Sequence, residues 1–175
     1  GMSTLHVPVD ATDNETRMTA GSIGMRAVRV YHGMDYHPAP AYLGGSHRPV
    51  PDGYKVRTMT SNAGDVQRLM DVQNAAFDGS WGYEANTIAD IEASMRLPAT
   101  GPEWVRMVDD LDGNTAGYVW TEFERSDGMS VGRIGMVGVD PAHRRKGLGI
   151  VMTGAGIKLL RDAGAGVVSL EVDRD

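Results

Sequence analysis

The chain has 175 residues, 41% of them hydrophobic, and a formal net charge of -6 at pH 7. That is enough apolar surface for one domain, or one domain with an attached fragment, while the acidic balance repels a phosphate backbone and argues against nucleic acid as a partner. Cysteine is absent, which excludes disulfides, thiolate nucleophiles and cysteine-ligated metals and fits a reducing cytoplasm.

There is no signal-type segment and no run of about 18 apolar residues, so neither secretion nor a membrane location is expected. Gly1 before Met2 reads as a scar left by tag removal. Leu5 to Asp10 is strand-like, Asn14 to Ser22 reads as a short helix, and Arg26 to Tyr36 as a strand. From His37 to Gly53, Pro38, Pro40, Gly44, Gly45, Pro49, Pro51 and Gly53 crowd together and prevent regular structure. The expected division is a strand-helix-strand segment at 1–36, a linker at 37–52 and a main domain at 53–175.

In the main domain, Tyr54 to Met59 reads as a strand. Ser61 or Asn62 offers a cap for a helix on which Val66, Leu69, Met70 and Phe77 recur at helical spacing. Ile88, Ile91 and Met95 mark a shorter helix, capped near Asn86 or Thr87 and stopped by Pro98. Trp104 to Val108 and Thr115 to Phe123, joined by Asp109-Asp110-Leu111-Asp112-Gly113-Asn114, predict an antiparallel hairpin. Ser126-Asp127-Gly128 predicts a turn, Ile134 to Val139 a central strand, and Val167 to Val172 a last strand. Between these last two, a helix from Ile150 to Ala163 is expected to bury Ile150, Val151, Ile157 and Leu160. The order of elements predicts a mixed α/β layer fold.

The informative stretch is Val137-Gly138-Val139-Asp140-Pro141-Ala142-His143-Arg144-Arg145-Lys146-Gly147-Leu148-Gly149-Ile150, which joins the central strand to that helix through a basic, glycine-bearing loop. The first turn of a helix has N–H groups without internal partners and carries partial positive charge, so it stabilises an anion. Gly147 and Gly149, lacking a Cβ, let a pyrophosphate approach the backbone. Neither the Gly-x-x-x-x-Gly-Lys-[Ser or Thr] loop nor the Gly-x-Gly-x-x-Gly fingerprint occurs in this loop.

Arg144, Gly147 and Gly149 match the pattern [Arg or Gln]-x-x-Gly-x-[Gly or Ala] behind a Val-Gly-Val-Asp-Pro strand end. The stretch from Gly53 to Asp175 thereby resembles the GNAT superfamily of acyl-CoA transferases, and among its groups the second domain of the tandem mycothiol synthase type. The resemblance implies a mostly antiparallel sheet flanked by helices, with the amino-terminal segment a candidate for completing it. It also implies acetyl-CoA as acyl donor, with the pantetheine arm along Val137, Gly138 and Val139. The pyrophosphate would be held by Arg144, Arg145, Lys146, Gly147, Leu148, Gly149 and Ile150. No metal is implied. The expected reaction is transfer of acetyl from acetyl-CoA to a primary amine of a small molecule, by direct attack.

Many members of that superfamily carry a glutamate base where this chain has Arg133, and arginine stays protonated. Substitute carboxylates are Glu122, Glu124, Glu171 and Asp173, with Glu122 the first candidate. The alternative is a non-catalytic acyl-CoA-binding module derived from a tandem enzyme. Trp81-Gly82-Tyr83 with Glu84 falls where the superfamily shapes its acceptor pocket, and these residues, like Tyr118 and Trp120, are either partial core or pocket. Residues 1–36 have three readings: a remnant of a first domain, a closing piece supplied in cis or by exchange in a homodimer, or an unrelated arm. In an exchanged arrangement Tyr31 or Tyr36 would approach the leaving thiolate.

Overall fold

The computed structural model describes residues 5–37, 48–126 and 129–173. In chain order they form α1 (Asn14–Ser22), β1 (Tyr31–Tyr36), β2 (Tyr54–Thr58), α2 (Ala63–Phe77), α3 (Ile88–Met95), β3 (Val105–Asp110), β4 (Thr115–Ser126), β5 (Met129–Val139), α4 (Leu148–Asp162) and β6 (Val167–Asp173). The strands lie in the order β1-β6-β5-β4-β3-β2. Pairing is antiparallel from β2 through β5 and parallel between β5 and β6. This is the mixed, mostly antiparallel α/β sheet with flanking helices that the sequence predicts.

The chain divides into two compact units, residues 1–32 with 172–175 and residues 33–171. In the first, the Asp13 side chain caps α1 by accepting from the Thr16 N–H at 3.0 Å, and α1 has no buried residue. Arg29 pairs with Asp173 at 2.6 Å.

The second unit has cores on both faces of its sheet, because alternate residues of a strand point to opposite sides. Met107, Tyr118 and Trp120 meet Val66, Leu69 and Val72 of α2 and Ile91 of α3 on one face. Val108, Val119 and Ile134 meet Leu148, Val151, Met152 and Leu160 of α4 on the other. Both α2 and α3 start on side-chain caps: Asn62 accepts from the Asp65 N–H, and Thr87 forms a reciprocal capping box with Asp90. At the start of α2 the nearly buried Asp65 carboxylate accepts from Arg57 at 2.8 and 2.9 Å and from the N–H and hydroxyl of Thr60 at 2.8 and 2.7 Å.

Helix α2 lies close on β5 because Gly138 has no side chain. A Cβ there would stand 2.7 Å from Tyr118 Cε1 and 2.9 Å from Ala76 Cβ, neither of which is the free end of a flexible chain. Gly138→Ala is therefore expected to lower the unfolding free energy by about 1–3 kcal/mol, as overpacking does. Urea denaturation checks this, and an unchanged midpoint would mean that α2 shifts without cost.

Three sequence expectations are corrected. Residues 5–10 are not a strand; Pro8 has no N–H to give to a ladder. The strand expected from Arg26 begins at Tyr31. In α4, Ile150 is exposed, because the helix starts at Leu148 and buries Leu148, Val151, Met152, Gly156 and Leu160 at helical spacing. Most of the expected linker, at 38–47, and the turn residues Asp127 and Gly128 lie outside the described residues. No helix among the described residues is long and apolar enough to cross a membrane.

Candidate functional site

Strand β5 has different neighbours along its length. On the β4 side its pairing continues to Gly117↔Val139, with Trp120↔Met136 followed by Thr121↔Ile134. Gly135 is thus one extra residue on β5, a bulge that bends the strand and re-aims its remaining residues. On the β6 side the pairing runs from Val131↔Val167 only to Ile134↔Leu170. Residues 135–139 consequently have an edge without a β6 partner, whose N–H and C=O groups can pair with an extended, amide-bearing ligand.

That edge leads into the basic loop. Asp140 accepts from the Ala142 N–H at 2.8 Å and starts a 3-10 turn at Pro141–His143. Arg145 at φ 61° and Gly147 at φ 86° take left-handed conformations, which swing the chain into α4. Gly147 caps α4 without a side-chain hydrogen bond. The N–H groups of Leu148, Gly149 and Ile150, in the first helical turn, have no partner within the helix. A Cβ on Gly149 would have nothing within 4 Å, so the space beside this turn is open.

The three basic side chains differ in their attachments. Arg144 donates to the Val139 carbonyl at 3.3 Å and to the Ala76 carbonyl at 2.9 Å, tying the loop to β5 and to the last turn of α2, where carbonyls lack helical partners. Lys146 donates to Tyr54 Oη at 3.0 Å, with its ammonium 5.6 Å from the ring centroid. Tyr54 Oη lies 2.8 Å from His143 Nδ1. Since it already accepts from Lys146, its own O–H is available to His143. Arg145 is exposed and has no ion pair among the described residues.

Glu122 is half-buried and opposite Arg133 in the ladder. Its carboxylate lies at the bulge: a Cβ built on Gly135 would be 3.0 Å from Glu122 Oε1. The other carboxylates are elsewhere engaged or solvated. Glu124 is exposed, Asp173 pairs with Arg29, and Glu171, also exposed, approaches Arg133 at 4.0 Å. Tyr118 and Trp120 belong to the core, and Trp120 Nε1 donates to the Thr100 carbonyl at 2.9 Å. Tyr83 donates to Asn74 Oδ1 at 2.7 Å and rests on Phe77 with ring centroids 5.4 Å apart, while Trp81 and Glu84 are exposed. Tyr36 packs against the α4-side core, and Tyr31 is exposed.

The family model described as Acetyltransferase (GNAT) family matches residues 66–175. The chain belongs to this family. A mycothiol acetyltransferase of Nocardia farcinica is 31% identical over 166 residues, covering 91% of this chain and 52% of that protein. One from Rhodococcus erythropolis is 36% identical over 132 residues, covering 72% and 43% respectively. The chain thus spans about half the length of these curated relatives. The crystal structure of a GCN5-related N-acetyltransferase from Sphaerobacter thermophilus is similar in fold, with TM-score 0.69 at 18% identity over 94% of this chain and 49% of that one.

Sequence reasoning missed Gly135, Tyr54 and the Ala76 carbonyl. A lone glycine in a strand is a bulge signal, whereas the contacts of Tyr54 and Ala76 are long-range and leave no local trace. Among the described residues no group of three or more His, Asp or Glu side chains is arranged to hold a metal.

Proposed function

We propose that this chain transfers an acetyl group from acetyl-CoA to a primary amine of a small molecule. The observation that carries the reading is the edge of β5 from Gly135 to Val139, which has no β6 partner and leads into the open first turn of α4. The pantetheine amides would pair along Val137, Gly138 and Val139. The pyrophosphate would accept from the N–H groups of Leu148, Gly149 and Ile150, with Gly147 giving close access and Arg145 and Lys146 adding charge at the rim. Arg144 would act mainly by holding the loop, given its two carbonyl contacts. The name mycothiol acetyltransferase, borne by relatives that cover about half their length with this chain, supports acetyl transfer to a small molecule.

In this reading Glu122 takes the amine proton as nitrogen attacks the thioester carbon, the new C–N bond forms, and the C–S bond breaks to release CoA as its thiolate, which takes up a proton from solvent. N–H groups on the free β5 edge are the donors available to the developing oxyanion. The alternative, a non-catalytic acyl-CoA-binding module, is favoured by Arg133, which stands where the resemblance would put the base. We read residues 1–36 first as a remnant of a preceding domain, which the alignment over 91% of this chain with one relative supports. Closure of the main domain by this segment, in cis or by exchange in a homodimer, is compatible with that reading.

Calorimetric titration with acetyl-CoA tests the donor. Gly149→Trp fills open space in the first turn of α4, so it should leave folding intact and weaken acetyl-CoA by about tenfold or more through loss of charge-assisted hydrogen bonds. Unchanged affinity would move the phosphate site away from α4. Absence of heat with the unaltered protein would overturn the donor assignment.

A further inference from the structure

We propose that Arg48, from the segment that precedes β2, is a phosphate ligand of the acyl donor and closes the cradle over Gly147. This rests on the acetyl-CoA reading above and goes beyond the loop itself, because Arg48 lies outside the 66–175 stretch that the family model matches.

A Cβ built on Gly147 would stand 3.5 Å from Arg48 Nε and 3.6 Å from its Cζ. The guanidinium therefore lies over the bare Cα of the residue that caps α4. By itself this is an electrostatically poor place for a cation. The amino terminus of a helix carries partial positive charge and favours anions, and Arg144, Arg145 and Lys146 immediately precede it in the chain. Among the described residues no carboxylate forms an ion pair with Arg48, Arg144, Arg145 or Lys146. Four cationic side chains so gathered in a chain of net charge -6 leave a positive site that an anion would neutralise.

The segment carrying Arg48 is also seated for that task. Six residues on, Tyr54 contacts His143 and Lys146, so residues 48–54 touch the loop at both ends. Between them the Tyr54 N–H donates to the Pro51 carbonyl at 3.2 Å, and Pro49 and Pro51 restrict the backbone. Ordering the guanidinium on binding consequently costs less entropy than recruiting it from a free chain. Its planar fork suits a bidentate contact with phosphate oxygens.

The test is calorimetric titration with free CoA, at several salt concentrations, of the unaltered protein, Arg48→Gln and Arg48→Lys, together with the thermal midpoint of each ligand-free protein. Arg48→Gln is expected to weaken CoA by about tenfold, the low end for a charged hydrogen bond because the site is open to solvent. It should also flatten the dependence of affinity on salt. Arg48→Lys should restore the salt dependence and part of the affinity, with all ligand-free midpoints equal. Unaltered affinity and salt dependence in Arg48→Gln would overturn the assignment. So would a loss of affinity that comes with a lowered midpoint and an unchanged salt dependence, which is the signature of a structural role. If the unaltered protein gives no heat with CoA, the donor reading fails first and Arg48 falls with it.

Discussion

Glu122→Gln is expected to lower kcat for acetyl transfer by about 10²- to 10⁴-fold, the contribution of a positioned general base, while calorimetric affinity for CoA stays the same. The substitution keeps the shape of the side chain and its capacity to accept hydrogen bonds, but removes its ability to take a proton. Glu122 differs from the other carboxylates in its place. It occupies the space beside Gly135, at the point where β5 loses β6 as a neighbour. It also follows Tyr118 and Trp120 by the two-residue step that sends side chains to the face covered by α2 and α3. A thioester seated along the free edge would have its carbonyl near this junction, and the loop between α2 and α3 borders the same face. The measurement is release of free thiol from acetyl-CoA across a panel of small primary amines. A variant within threefold of the unaltered rate would remove Glu122 as the base. Turnover by neither protein, with CoA binding intact in both, would favour the non-catalytic module.

Much of the second unit was legible because its signals are local. Ser61 or Asn62 and Asn86 or Thr87 announce the helix starts, where Asn62 and Thr87 prove to be the caps, and of Val66, Leu69, Met70 and Phe77, which recur at helical spacing, Val66 and Leu69 are buried on α2. The basic loop was legible for the same reason, since strand end, glycines and helix succeed one another without a break. Counting back along β5 was less secure. The offset from Val139 to Arg133 assumes strict alternation, yet the count crosses the bulge at Gly135, which shifts the alternation by one place. Sequence distance alone therefore does not fix which face Arg133 shares with Val139. The attachments of the loop were also invisible in advance. Arg144 reaches Ala76 on another element, and Lys146 turns to Tyr54 at the opposite sheet edge. Each of these contacts depends on topology, which no local pattern contains. At the amino terminus the reverse occurred: Leu5 to Asp10 has an apolar alternation, but alternation supplies no ladder, and Pro8 removes a donor from it.

Asp65→Asn is expected to cost about 2–3 kcal/mol of stability, measured by urea denaturation at pH 7. The Asp65 side chain is only 3% exposed and is flanked by Arg57 and Arg68. Removing one partner from a buried ion pair costs roughly 3–5 kcal/mol. The expectation is lower here because the Arg57 side chain is 26% exposed, keeps Asp109 at 2.5 Å, and can recover hydration. An amide in place of the carboxylate can still accept from the Thr60 N–H, but cannot balance the guanidinium. The pH dependence has a definite sign. Burial pushes the Asp65 carboxyl up, but the hydrogen bonds from Arg57 and from the N–H and hydroxyl of Thr60, with the Arg57 charge, outweigh it and hold the group well below its ordinary value of 3.8. A carboxylate depressed in this way contributes its stability in full above the unfolded value. It loses that contribution as pH falls through the unfolded value toward the folded one. The unaltered protein should therefore lose stability between about pH 5 and pH 2 more steeply than Asp65→Asn, and the two curves should converge in acid. Parallel curves across that range would mean that the charge of Asp65 is no better stabilised in the fold than in the unfolded chain. The start of α2 would then be held by the Asn62 cap and by the packing of Val66 and Leu69.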